Sequence, residues 1–225
     1  EDCYLRLDQA LADFFAYLDK TIGKGNYLTF LTADHGAVNN AAFLQDQRIP
    51  AGIWNGKSMV KELNQELKAK FNTDKDLVMT IMNYQVFFNT ATIEEAGLDY
   101  AAVKQAVVNR LKKEKIVHYA FDMEKTSTES IPEQLKFRAI NGYNRERSGG
   151  VQIVLKPAHY EYDVAKGTNH GAWNPYDIHI PLVFMGWHIQ HGATTQPHYM
   201  TDIAATVSAL LHIQAPNGCI GTPIF

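Results

Sequence analysis

Several familiar stabilising and targeting features are scarce or missing in this chain. Only two of its 225 residues are cysteine, Cys3 and Cys219. Two are too few for a disulfide framework and cannot complete a zinc site alone. Pairing with each other and pairing with cysteines of a longer protein both stay open. No apolar run approaches the roughly 20 residues needed to span a bilayer, so no membrane span is expected. Neither sign of charge dominates: 21 Lys and Arg face 24 Asp and Glu, for a net charge of -3. That excludes the global basic field of a nucleic-acid binder. The small cluster Lys112, Lys113 and Lys115 reads as a solvated helix end. No Asp is followed by a His four residues later. What remains is a globular composition, 46% hydrophobic and 20% charged. The length suits one large domain or a core with an insert.

The most informative residues are Thr32-Ala33-Asp34-His35-Gly36. They close the apolar run Tyr27 to Leu31, which reads as a buried strand. A carboxylate and an imidazole side by side at a strand's C-terminal end stand where open α/β folds place ligands. Together they suit a divalent metal of the zinc type. The glycine allows a sharp turn away from the pair. A second histidine, His170, lies in the loop Gly167-Thr168-Asn169-His170-Gly171, ahead of Tyr176-Asp177-Ile178-His179 and an apolar strand at Ile180 to Met185. A third segment, Thr201 to Leu211, reads as a helix capped by Thr201 or Asp202, with Ile203, Val207, Leu210 and Leu211 inward.

In this order the three segments resemble the C-terminal half of the alkaline phosphatase superfamily. The resemblance is to PafA-type bacterial alkaline phosphatases and the related type I phosphodiesterase/nucleotide pyrophosphatase group, over nearly the whole chain. A stretch like the first motif also occurs in cofactor-independent phosphoglycerate mutases and phosphopentomutases; the ordered set is more specific. The resemblance implies two zinc ions, with Asp34 and His35 on the nucleophile-side ion and His170 on the other. It also implies an Asp-x-x-x-His pair and a Thr or Ser nucleophile, neither assignable here. The chain is therefore expected to be the C-terminal portion of a longer enzyme, with no catalytic nucleophile of its own, and inactive as an isolated fragment. The resemblance further implies a periplasmic or secreted bacterial enzyme.

The expected fold class is α/β, part of an alkaline-phosphatase-like three-layer sandwich with a smaller α+β insert. Residues 1–57 read as a core segment carrying the Asp-His motif, 58–156 as a cap-like insert, and 157–225 as a core segment carrying His170 and the last helix. The first helix is amphipathic, with Tyr4, Leu7, Leu11, Phe14, Phe15 and Leu18 at three- and four-residue steps. Within the insert, 77–88 reads as strand with room for a turn, 100–113 as helix, 116–121 as strand, 132–140 as a short helix and 151–155 as strand. Ala51 to Ser58 fits a loose nucleotide-binding loop, yet the polar segment before it offers no strand. The plainer reading has Ser58 capping the following helix and Gly56 turning the chain.

The expected function is hydrolysis of a small-molecule phosphate ester, a phosphomonoesterase in the intact enzyme. Two alternatives keep other classes in view. One is phosphodiester or nucleotide pyrophosphate hydrolysis, or phosphomutase transfer, on the same metals. The other is a non-catalytic binding domain.

Overall fold

The computed structural model of the chain describes residues 1–162, 167–171 and 173–225. In chain order its elements are α1 (Asp2–Thr21), β1 (Leu28–Thr32), α2 (Ala41–Asp46), β2 (Gly52–Trp54), α3 (Gly56–Phe71), β3 (Val78–Met82) and β4 (Gln85–Phe88). There follow α4 (Thr90–Glu95), α5 (Tyr100–Leu111), β5 (Val117–Asp122), a 3-10 helix at Met123–Thr128, α6 (Glu133–Gly142) and β6 (Val151–Leu155). The chain ends with β7 (His159–Glu161), α7 (Pro175–Ile178), β8 (Leu182–Gly186) and α8 (Thr201–Leu210). These elements divide into two compact units: Glu1–Thr32 with Pro181–Phe225, and Ala33–Ile180.

The larger unit holds a four-stranded antiparallel sheet in the order β3-β4-β6-β5. Helices α3 and α5 cover it, and Leu63, Leu77, Val103, Val107, Leu111 and Ile153 are fully buried there. Each such side chain contributes roughly 1.5–3 kcal/mol of hydrophobic stabilisation. The β3–β4 turn uses Asn83 and Tyr84 at φ 50 and 60, the two positive values that a tight hairpin of the mirror-image type needs. Buried Asn64 ties α3 to β3: its Oδ1 accepts from the Leu77 and Val78 amides and its Nδ2 donates to the Val78 carbonyl. Lys104, 2% exposed, is paired with Asp122 at 2.9 Å and Glu124 at 2.5 Å. Strands 77–88 and 151–155 and helix 100–113 thus stand where periodicity placed them.

Two local readings change. A short strand, β2, does precede α3; it pairs in parallel with β7. The cap of α3 is Asn55, whose side chain accepts from the Ser58 amide. The sequence signal for β2 is weak because three residues are too few to show a period.

In the smaller unit, β1 and β8 pair antiparallel as a two-stranded sheet. The strands expected to be deeply buried are half-exposed: Leu31, Val183 and Met185 keep 54%, 53% and 41% of their surface. Helix α1 has no buried residue although its stripe is apolar. Hydrophobic periodicity marks the face a segment can bury, and within this chain that face is left uncovered. Helix α8 turns its small and polar side inward, with Asp202, Ala205, Thr206 and Ser208 buried and Leu211 exposed. Asp202 is not its cap; its carboxylate accepts from the Tyr199 and Thr222 amides. Cys3 and Cys219 are free thiols. Among the described residues no helix is long and apolar enough to cross a membrane.

Candidate active site

Asp34, His35 and His170 all lie in the larger unit. His35 and His170 come together from opposite ends of it, their rings stacked with centroids 3.6 Å apart and planes inclined by 21°. Asp34 is at the surface, with 88% of its side chain exposed. Its Oδ1 accepts from the His35 amide at 3.0 Å and its Oδ2 lies 3.6 Å from His35 Nε2.

Both imidazoles are fixed by the residue that follows them. His35 Nδ1 lies 2.7 Å from the Gly36 carbonyl oxygen, and His170 Nδ1 lies 3.0 Å from that of Gly171. A carbonyl can only accept, so Nδ1 carries the proton in each ring. In the neutral imidazole the lone pair is then on Nε2, the atom offered to a metal. Two imidazole nitrogens and a carboxylate are a zinc-type donor set. The set is not complete: among the described residues, no group of three or more His, Cys, Asp or Glu side chains is arranged to hold a metal ion.

The two histidine loops are laced together. The Val38 amide donates to the Asn169 carbonyl at 3.2 Å, the Thr168 hydroxyl to the Val38 carbonyl, and Asn40 Nδ2 to the Gly167 carbonyl. Asn169 Oδ1 accepts from the His170 amide at 2.9 Å, while its Nδ2 donates to the Glu161 carbonyl at 2.7 Å. From the sheet side, the Tyr84 hydroxyl donates to the His170 carbonyl at 2.8 Å and accepts from the Glu161 amide at 3.0 Å. Burial pushes the Tyr84 hydroxyl pKa up to about 12. Sequence reasoning missed Tyr84, Asn169 and Asn40, because a hydroxyl or amide that holds a loop leaves no motif of its own.

Residues 1–177 match the family described as type I phosphodiesterase / nucleotide pyrophosphatase. The chain belongs to that family. It is 49% identical over 224 residues to alkaline phosphatase PafA of Elizabethkingia meningoseptica, covering all of this chain and 41% of that protein. It is 48% identical to alkaline phosphatase PhoV of Synechococcus elongatus, covering 40% of it. A Myroides odoratus protein named a calcium-transporting ATPase is also 48% identical, with 41% of it covered. The chain thus spans about two fifths of the length of the curated relatives it matches. The crystal structure of wild-type PafA superposes with a TM-score of 0.95 over 99% of this chain and 42% of that one. Over the shared region the mixed α/β fold is therefore that of the alkaline-phosphatase-like members of the family.

Proposed function

We propose that this chain is part of a metal-dependent phosphate-ester hydrolase of the alkaline phosphatase type, acting on small phosphate monoesters in the periplasm or outside the cell. In this reading 58–156 is an insert between two core segments, 1–57 and 157–225. Asp34 and His35 hold one zinc ion and His170 the other. The observation that carries the reading is the stacked pair of imidazoles, each with Nε2 free for a metal, in a chain about half identical to alkaline phosphatase PafA.

Bound zinc would supply Lewis-acid neutralisation of charge on the transferring phosphoryl group. The chain's own residues do the positioning. Asp34 and His35 present an oxygen and a nitrogen from adjacent residues, and His170 presents a nitrogen across the stack. The glycine carbonyls hold the neutral form of both rings in one tautomer, the one with its lone pair on Nε2. The nucleophile is assigned to no residue of this chain. Three donors shared between two ions leave each ion short of the three or four that such sites use.

The polypeptide alone is accordingly expected to hydrolyse a chromogenic phosphate monoester or diester no faster than a blank, with or without zinc. A chimera in which this chain replaces the matching segment of Elizabethkingia PafA is expected to be active, and His170→Ala in it to abolish most turnover. A folded chimera without activity, or one indifferent to His170, would overturn the reading.

A further inference from the structure

His35-Gly36 and His170-Gly171 make the same corner twice. In each, the glycine carbonyl holds the histidine's Nδ1. In each, the glycine's own N–H runs to a single residue, Asp177. The Gly36 amide donates to the Asp177 main-chain oxygen at 2.7 Å. The Gly171 amide donates to Asp177 Oδ1 at 2.8 Å. Both loops therefore end on one aspartate.

The fit explains why glycine follows each histidine. A Cβ on Gly36 would overlap the Tyr176 carbonyl oxygen, and one on Gly171 would lie 2.7 Å from Asp177 Oδ2. Asp177 is 2% exposed, and its Oδ2 is buried without a hydrogen-bond partner among the described residues. A buried carboxylate oxygen left unpaired is costly. This carboxylate is therefore not placed for its own solvation; among the described residues its hydrogen bond is to the loop that carries His170.

We propose that Asp177 is the positioning residue of the site, setting the spacing of His35 and His170 by accepting both glycine amides. Its consequence for metal affinity rests on the proposed function; the positioning does not. The two halves of the clamp are separable. Any residue at 177 keeps the main-chain oxygen that Gly36 uses. Only a side chain with an oxygen at the right place holds Gly171, and that bond needs an acceptor rather than a charge.

The test is amide hydrogen exchange and histidine ring nitrogen shifts by NMR on the metal-free chain, with Asp177→Ala and Asp177→Asn. In Asp177→Ala the Gly171 amide is expected to exchange about tenfold to a hundredfold faster, as leaving a buried donor without its acceptor implies. The Gly36 amide should stay within about threefold of wild type on the same reasoning. The His170 ring should lose its single-tautomer signature while His35 keeps its own. Asp177→Asn should restore both Gly171 protection and the His170 signature. Gly171 exchanging at the wild-type rate in folded Asp177→Ala would overturn the proposal. If that variant does not fold, Asp177→Asn decides: a protected Gly171 supports the clamp and an unprotected one refutes it. In the PafA chimera, zinc affinity should fall about tenfold to a hundredfold in Asp177→Ala and recover in Asp177→Asn. If the wild-type chimera binds no zinc, the metal reading fails and the exchange data still judge Asp177.

Discussion

Replacing Tyr84 by Phe removes one oxygen at the point where the four-stranded sheet meets the His170 loop. Tyr84 is 6% exposed and its ring stacks on Trp54 with centroids 6.5 Å apart, so Phe keeps the packing. What it loses is the hydroxyl that donates to the His170 carbonyl and accepts from the Glu161 amide. Each net hydrogen bond contributes about 0.5–1.5 kcal/mol, so Tyr84→Phe should cost about 1–3 kcal/mol near neutral pH. The cost should also depend on pH. Burial raises the hydroxyl pKa from 10.0 to about 12 in the folded chain. Its contribution is therefore fully present below pH 10 and lost as pH rises toward about 12, where the unfolded chain ionises first. That span corresponds to roughly 2–3 kcal/mol. Phe does not titrate, so the gap between wild type and variant should narrow across the window. Urea unfolding followed by tryptophan fluorescence, at about pH 8 and about pH 11, measures both effects. Equal stability at the lower pH, or a gap that does not narrow at the higher, would refute the reasoning.

Three further outcomes are expected. Lys104→Ala should cost about 3–5 kcal/mol in urea unfolding, because it leaves Asp122, 5% exposed, as an unpaired buried charge. Its hydrogen bond from Lys104 lowers the Glu124 pKa below 4.5. Glu124 therefore adds stability above about pH 4.5 that is lost as pH falls through its lower folded value, and Glu124→Gln should show a flatter acid limb in thermal melts. Gly36→Ala should destabilise by about 1–3 kcal/mol, since its Cβ has no room beside the Tyr176 carbonyl, and should disturb the His35 ring signals by NMR before those of the β6 amides.

The sequence made the larger unit legible where periods were long and caps were explicit. Helix α5 follows Asp99, whose side chain caps it, and four of the five residues of β6 are apolar. Strand β2 escaped because three residues carry no period. In the smaller unit the element types were legible: Phe30, Leu31 and the α1 stripe have the pattern of a buried face, which this chain, spanning about two fifths of the length of its curated relatives, leaves uncovered. At the site, Asp34, His35 and His170 stood out because their side chains suit metals. Asp177 and Tyr84 did not, since the partners of their side-chain oxygens are main-chain groups, which leave no pattern in a sequence. The repeated His-Gly pair was the one trace of the clamp visible in the letters.

Anomalous X-ray scattering at the zinc edge, from crystals of the chimera grown with zinc, tests the central claim most directly. Two peaks are expected. One should lie about 2.0–2.1 Å from His35 Nε2 and within carboxylate bonding distance of Asp34. The other should lie about 2.0–2.1 Å from His170 Nε2. Peaks bound through Nδ1, or zinc bound in the protein with neither histidine near it, would contradict the account.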